Sequence, residues 1–209
     1  MARNIAYQFS PNHLTLESID SYYKRIRASI ECRYSKNTNQ NYAKDFEDMT
    51  EDEISDESQS LIEELQKETI LHWLVGIEAL LRIDYIVRID KKDKSPISCY
   101  FRNDYGLLEQ QRKRKSKTLE YKKNGNDVKW KIAEKYRVDL CDAILKGWRE
   151  YFPEYKNCIN LLGDAFNYRN WLAHGRYRKF DGENKYDFFL ISNIVSVFKE
   201  TIMPHLLHY

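Results

Sequence analysis

Only eleven of the 209 residues are glycine or proline, seven of one and four of the other. So few turn formers cannot supply the many tight corners that a sandwich or barrel of short strands needs. Lys, Glu and Leu are abundant, and all three lose little freedom in a helix. Hydrophobic residues make up 42% of the chain and charged residues 32%, too apolar a mixture for a disordered segment. The expectation is an all-α fold in a single domain of long helices. Residues 1–56 would supply a first helix and an acidic linker, and 57–205 a bundle.

Helical spacing places the elements. Leu16, Ile19, Tyr23, Ile26 and Ile30 recur on one face behind Thr15, a plausible N-cap. A second helix over 57–90 carries Leu61 or Ile62, Leu65, Thr69 or Ile70, Trp73, Ile77, Leu80 or Leu81, and Asp84, and ends before Pro96. Residues 97–127 read as an irregular insertion containing a short extended segment and a turn at 124–127. A third helix from Val128 to about Phe152 shows Val138, Cys141, Ile144, Leu145, Trp148 and Phe152, and Pro153 closes it. The fourth spans 156–174, residues 181–184 turn, and the last runs from Tyr186 to about Met203.

The net charge of +2 does not by itself favour a partner, but its distribution is uneven. Residues 45–57 hold eight acids and no base, and 111–123 hold seven bases and one acid. Runs of this kind are ordinarily solvated surface. If the chain binds RNA, Lys113, Arg114, Lys115 and Lys117 are candidate backbone contacts, because clustered bases bind by releasing counterions. Tyr121 in the same run is a candidate for base stacking.

Cys32, Cys99, Cys141 and Cys158 form no paired motif, and His205 with His208 is thin support for a metal site. No metal or cofactor is expected. The most apolar run, 70–81, is too short to span a bilayer, and no apolar signal segment follows Arg3. The expectation is a cytoplasmic protein with reduced thiols.

The fourth helix ends unusually. Ile159, Leu162, Phe166, Arg169 and Ala173 follow at three- and four-residue steps, so Arg169 occupies an apolar position. Asn167, Asn170, Trp171 and His174 share an adjoining face, and Gly175 is a natural stop. One reading is structural: a cation and an imidazole near a helix C-terminus favour its dipole and cap free carbonyls. Its difficulty is an arginine drawn inward with no acid evident in the sequence. The other reading is catalytic. A histidine can move a proton near neutral pH, and an arginine can stabilise charge on a phosphoryl group. RNA cleavage by 2′-hydroxyl attack needs only those two services. Arg169 and His174 lie about 140° apart round the helix, a divergence that two copies across a twofold axis would repair.

The stretch Arg169, Asn170, three residues, His174, near the end of a late helix, resembles the R-x4–6-H motif of HEPN domains. The resemblance is clear over 128–205 and extends to 57–90. It implies a HEPN-like antiparallel helical bundle, with the first helix and 97–127 as additions. It also implies a homodimeric, metal-independent endoribonuclease acting on RNA such as tRNA or mRNA. The setting would be a toxin–antitoxin, abortive-infection or other anti-phage system, with an antitoxin or defence partner. Arg169 and His174 would be catalytic and Asn170 supporting. Arg176 and Tyr177, just past the helix, would be further RNA contacts. One subgroup carries a modified tyrosine two residues after the histidine; here Arg176 stands there and Tyr177 follows, so that control is not implied. Glu78 and Arg82, an i,i+4 pair on the second helix, are either a surface ion pair or polar support facing the same cleft. A binding module without catalysis, and a plain helical interaction protein whose Arg169 is satisfied by an acid of its own bundle, are the alternatives.

Overall fold

The computed structural model describes residues 15–91, 93–118 (with side chains through 107), 138–175 and 185–207. Every regular element among them is helical, so the fold is all-α. Long helices α1 (Leu16–Arg33), α3 (Glu51–Asp90) and α4 (Pro96–Thr118) are joined by a short α2 (Tyr42–Asp45) and tight links. A π-turn (Leu140–Leu145) leads into α5 (Lys146–Tyr151), followed by α6 (Lys156–Ala173) and α7 (Phe188–Thr201). The described chain divides into two compact units, Met1–Gly76 and Ile77–Tyr209, the division falling within α3.

In the first unit Thr15 caps α1 as expected, accepting from the Ser18 N–H, and Leu16, Ile19 and Tyr23 are buried. Trp73 Nε1 donates to Asp20 Oδ1 at 2.7 Å and ties α3 to α1. The acidic run is not a linker to its end. Helix α3 begins at Glu51, six residues before the expected start, because Thr50 and Glu53 form a capping box. The Thr50 N–H donates to Glu53 Oε2 at 2.8 Å, and the Glu53 N–H returns to Thr50 Oγ1 at 3.3 Å. Leu61, placed on the apolar stripe, is 43% exposed, whereas Leu65, Ile70 and Trp73 are buried.

The second unit is built round Ile77, Leu81, Phe101, Ile144, Trp148 and Leu162, all but excluded from solvent. Residues 96–118, expected to be irregular, are helical. Helix α3 ends before Pro96 as expected, and Pro96 opens the next helix, where its missing N–H costs nothing and its fixed φ suits the first turn. Asp93 accepts from Ser95 N–H at 3.1 Å and from the hydroxyls of Ser95 and Ser98, organising the start. Those hydroxyls, Ser95 first, hold the Asp93 carboxyl down at about 2.

The third expected helix is described only from residue 138, and its stripe fails at Cys141, which is exposed. The π-turn is the reason: Ile144 N–H bonds to the Asp139 carbonyl five residues back, so 100° steps counted through it go astray. Beyond the turn, Trp148 is buried as expected. Gly147 lies hard against Phe101, where an added Cβ would stand 2.3 Å from Cε1. The bounds of α6 and α7 agree with the helical spacing, and Asp187 caps α7 by accepting from the Leu190 N–H. The turns read at 124–127 and 181–184 lie outside the described residues.

Candidate functional site

Apolar residues position α6. Ile159, Leu162, Ala165 and Phe166 are buried and fix which side faces the core, so Arg169, three residues past Phe166, is drawn to the same side. Its side chain is only 18% exposed, and its guanidinium carbon lies 5.6 Å from the Phe166 ring centroid. The acid comes from another helix and is Glu78, one of the pair named from the sequence as either surface partners or polar support for this helix end, although its pairing with Arg169 was not evident there. Arg169 Nη2 meets Glu78 Oε2 of α3 at 2.5 Å. The other oxygen of Glu78 accepts from Arg82 Nε at 2.7 Å, and Arg82 Nη1 donates to the Val138 carbonyl at 2.8 Å. Glu78 is therefore no simple surface partner of Arg82. It is one carboxylate shared by two guanidinium groups, with its side chain 16% exposed.

Arg169 is not fully satisfied. Its Nε is buried and has no hydrogen-bond partner among the described residues. A donor left so is costly in a folded protein unless a further acceptor arrives. The Val138 carbonyl, which Arg82 engages, lies at the entrance to the π-turn, a kind of turn frequent at functional sites. Although Cys141 on that turn is exposed as a residue, partial desolvation, then Asp139 and Asp142, push its thiol pKa up, which disfavours the thiolate.

His174 ends α6. Its N–H bonds to the Asn170 carbonyl at 3.1 Å, and Gly175 adopts φ +78°, the left-handed conformation that stops a helix. The imidazole and Asn170 are both exposed, whereas Arg169 turns inward. One copy of the chain thus brings Arg169, Glu78 and Arg82 together and leaves His174 on the outer side of the same helix end. Behind it, Trp171 stacks on Tyr168 and Tyr168 on Tyr186, each at 5.5 Å.

Lys113, Arg114, Lys115 and Lys117 fall on α4, but their side chains lie outside the described residues, as do Arg176, Tyr177, Tyr121 and His208 altogether. His205 packs its ring 5.0 Å from that of Phe152. His72 is half-buried. Among the described residues no group of three or more His, Cys, Asp or Glu is disposed to hold a metal ion, and no helix is long and apolar enough to cross a membrane.

A second polar cluster escaped the sequence reading. Arg88, 3% exposed, bonds Asp84 at 2.7 Å and the His205 carbonyl at 2.6 Å, and Asp84 accepts from the Leu207 N–H at 2.8 Å. Its legible signal was Asp84 on an apolar stripe with an arginine four residues on. The partners 117 and 123 residues away were not legible. No family model, curated protein or solved structure matches the chain.

Proposed function

We propose that the protein is a metal-independent endoribonuclease of the HEPN type, with Arg169 and His174 as its catalytic pair. One observation carries the reading: Arg169 is held nearly buried by a carboxylate that it shares with Arg82, while its Nε awaits an acceptor five residues before an exposed histidine. A phosphate oxygen is an acceptor suited to that donor. In this scheme His174 moves the proton of the attacking 2′-hydroxyl or of the leaving 5′-oxygen. Arg169 stabilises charge on the phosphorus oxygens, Asn170 orients the imidazole or a phosphate oxygen, and Glu78 with Arg82 fixes the guanidinium.

The opposed directions of Arg169 and His174 favour a homodimer whose two helix ends meet. Asn157, Asn160, Asn167 and Asn170 of α6 and Asn193 and Ser196 of α7 are exposed, interspersed with the exposed acids Asp164 and Glu200, and Leu161, Val197 and Phe189 are exposed on the same helices. A twofold axis brings like against like, and amides serve as both donor and acceptor. A cytoplasmic toxin or anti-phage effector with an antitoxin or defence partner is the setting that the motif's resemblance suggests.

The test is incubation of the purified protein with total RNA and tRNA in EDTA, beside His174→Ala. Cleavage by the wild type should leave 2′,3′-cyclic phosphate ends and fall about 10²–10⁴-fold in the variant, the range for removing an acid–base group. Equal cleavage by both would refute the assignment. An observation also favours the plain helical interaction protein: Glu78 gives Arg169 an acid within its own unit. A monomeric wild type that neither binds nor cleaves RNA would establish that reading, whereas the binding module is the remaining alternative. Binding of RNA or nucleotide without turnover by the intact wild-type dimer would establish that reading instead.

A further inference from the structure

The π-turn at Leu140–Leu145 stands between two arginines, and each takes hold of main chain in or beside it. From α3, Arg82 Nη1 donates to the Val138 carbonyl at 2.8 Å, just ahead of the turn. From α5, the half-buried Arg149 reaches back over the turn itself. Its Nη2 donates to the Cys141 carbonyl at 3.2 Å and its Nε to the Leu145 carbonyl at 3.3 Å. The remaining nitrogen, Nη1, donates to Asn160 Oδ1 of α6 at 3.3 Å. Arg169 lies near the far end of that same helix, and Glu78 ties it to Arg82. The contacts thus close a circuit that leaves α6 at Asn160 and returns to it at Arg169.

We infer that the π-turn is a positioning element for Arg169, and that Arg149 is the positioning residue that keeps the turn in its wide form. Its bearing on catalysis rests on the reaction proposed above. In an α-helix the Ile144 N–H would go to the Leu140 carbonyl, whereas here it goes to Asp139. A turn one residue wider moves N–H groups off the carbonyls that they serve in an α-helix. A guanidinium fork is suited to take up such acceptors, and Arg149 spans two of them. Asp139 caps the turn, its carboxylate accepting from the Asp142 N–H at 2.6 Å. The carbonyl of Val138, one residue earlier, therefore has no place in the helical ladder and serves Arg82 instead. Ile144, Leu145 and Trp148 are buried and fix the far side of the turn in the core. With that side fixed, taking up the extra residue as α-helix would move the preceding chain by about 1.5 Å and 100°. The Val138 carbonyl would then leave Arg82. Arg82 would lose the anchor that fixes it against Glu78, and Glu78 the partner that holds it toward Arg169. Misplacing a catalytic group by about 1 Å is enough to lower a rate on the order of 100-fold.

The experiment reads geometry and rate separately in the full-length protein, with Arg149→Gln removing the fork. The NMR resonance of the Arg169 Nε–H, identified by its loss in Arg169→Lys, should shift or broaden in Arg149→Gln. In cleavage of RNA in EDTA, kcat should fall about 10–100-fold while KM changes by less than about twofold. The salt dependence should keep its slope, because no phosphate contact is lost. Arg149→Lys, which can still serve one carbonyl, should recover part of the rate. Arg82→Gln with Arg149→Gln should be no slower than Arg82→Gln alone, because both act along one path. An Arg169 resonance unmoved in Arg149→Gln overturns the inference, and so do losses that add in the double variant. A lower melting temperature with kcat intact overturns it as well, since a merely structural arginine would behave so. A wild type that cleaves nothing refutes the ribonuclease reading alone, because the resonance still decides whether the π-turn positions Arg169.

Discussion

Glu78 decides what Arg169 is able to do. An arginine in an apolar position must be neutralised or reach water. Here one carboxylate serves both it and Arg82, and that sharing fixes the guanidinium in one place. Glu78→Gln keeps the shape and removes the charge. It should lower the unfolding free energy by about 1.5–3 kcal/mol, the range for hydrogen bonds to charged groups, and should depress RNA cleavage although Glu78 itself need touch no substrate. A urea titration with full cleavage retained would show that Arg169 does not depend on this partner for its role. His174 differs in kind: it is exposed, so His174→Ala should leave the melting temperature nearly unchanged while removing most of the activity. Arg169 on the apolar stripe and His174 before a stop glycine were legible residue by residue. The pairing with Glu78, 91 positions earlier, was not, because an i,i+4 partner for Glu78 was already in view in Arg82.

Helix ends and close approaches govern the elements. The start of α4 depends on Asp93, whose carboxyl is held at about 2 against an ordinary 3.8 by the Ser95 and Ser98 hydroxyls. A folded-state value below the unfolded one means that the carboxylate stabilises the fold above the ordinary value. That contribution disappears as pH falls from 3.8 toward 2. Melting temperatures of wild type and Asp93→Asn should therefore differ at neutral pH and converge across that window; a constant gap would remove Asp93 from the capping role. Helix α5 depends on a missing side chain. Gly147 lets it approach Phe101 and Tyr100, and a Cβ there would stand 2.3 Å from Phe101 Cε1. Gly147→Ala should cost about 1–3 kcal/mol by overpacking, readable as a lower urea midpoint at unchanged slope. Both helix starts that the sequence reading misplaced had local marks, a Thr–Glu capping box and a Ser–Pro pair. The acidic composition outweighed the first, and the apolar segment after Pro96, readable as a short strand, outweighed the second.

At the scale of the whole molecule the open matter is whether two copies cooperate. If they meet through the amide-rich surface of α6 and α7, sedimentation should give twice the chain mass of 25.2 kDa. Val197→Lys together with Asn167→Lys, both at exposed positions, should return a folded monomer and abolish cleavage without touching Arg169 or His174. A monomeric wild type that cleaves RNA would remove the twofold axis from the mechanism. The sequence alone determined that the fold is mostly helical, because eleven glycines and prolines in 209 residues are too few for the corners of a sandwich or barrel and helix formers abound, and it placed α1, α6 and α7, where 3.6-residue periodicity runs unbroken. Only the tertiary structure decided the rest. The π-turn adds a step that periodicity cannot count. The end of α1 is closed by Thr38 and Asn39 folding back onto the Cys32 and Arg33 carbonyls, and the setting of Arg169 is made by a carboxylate from a distant helix. Periodicity and capping act between residues a few positions apart, whereas burying a charge depends on whichever partner the completed fold brings beside it.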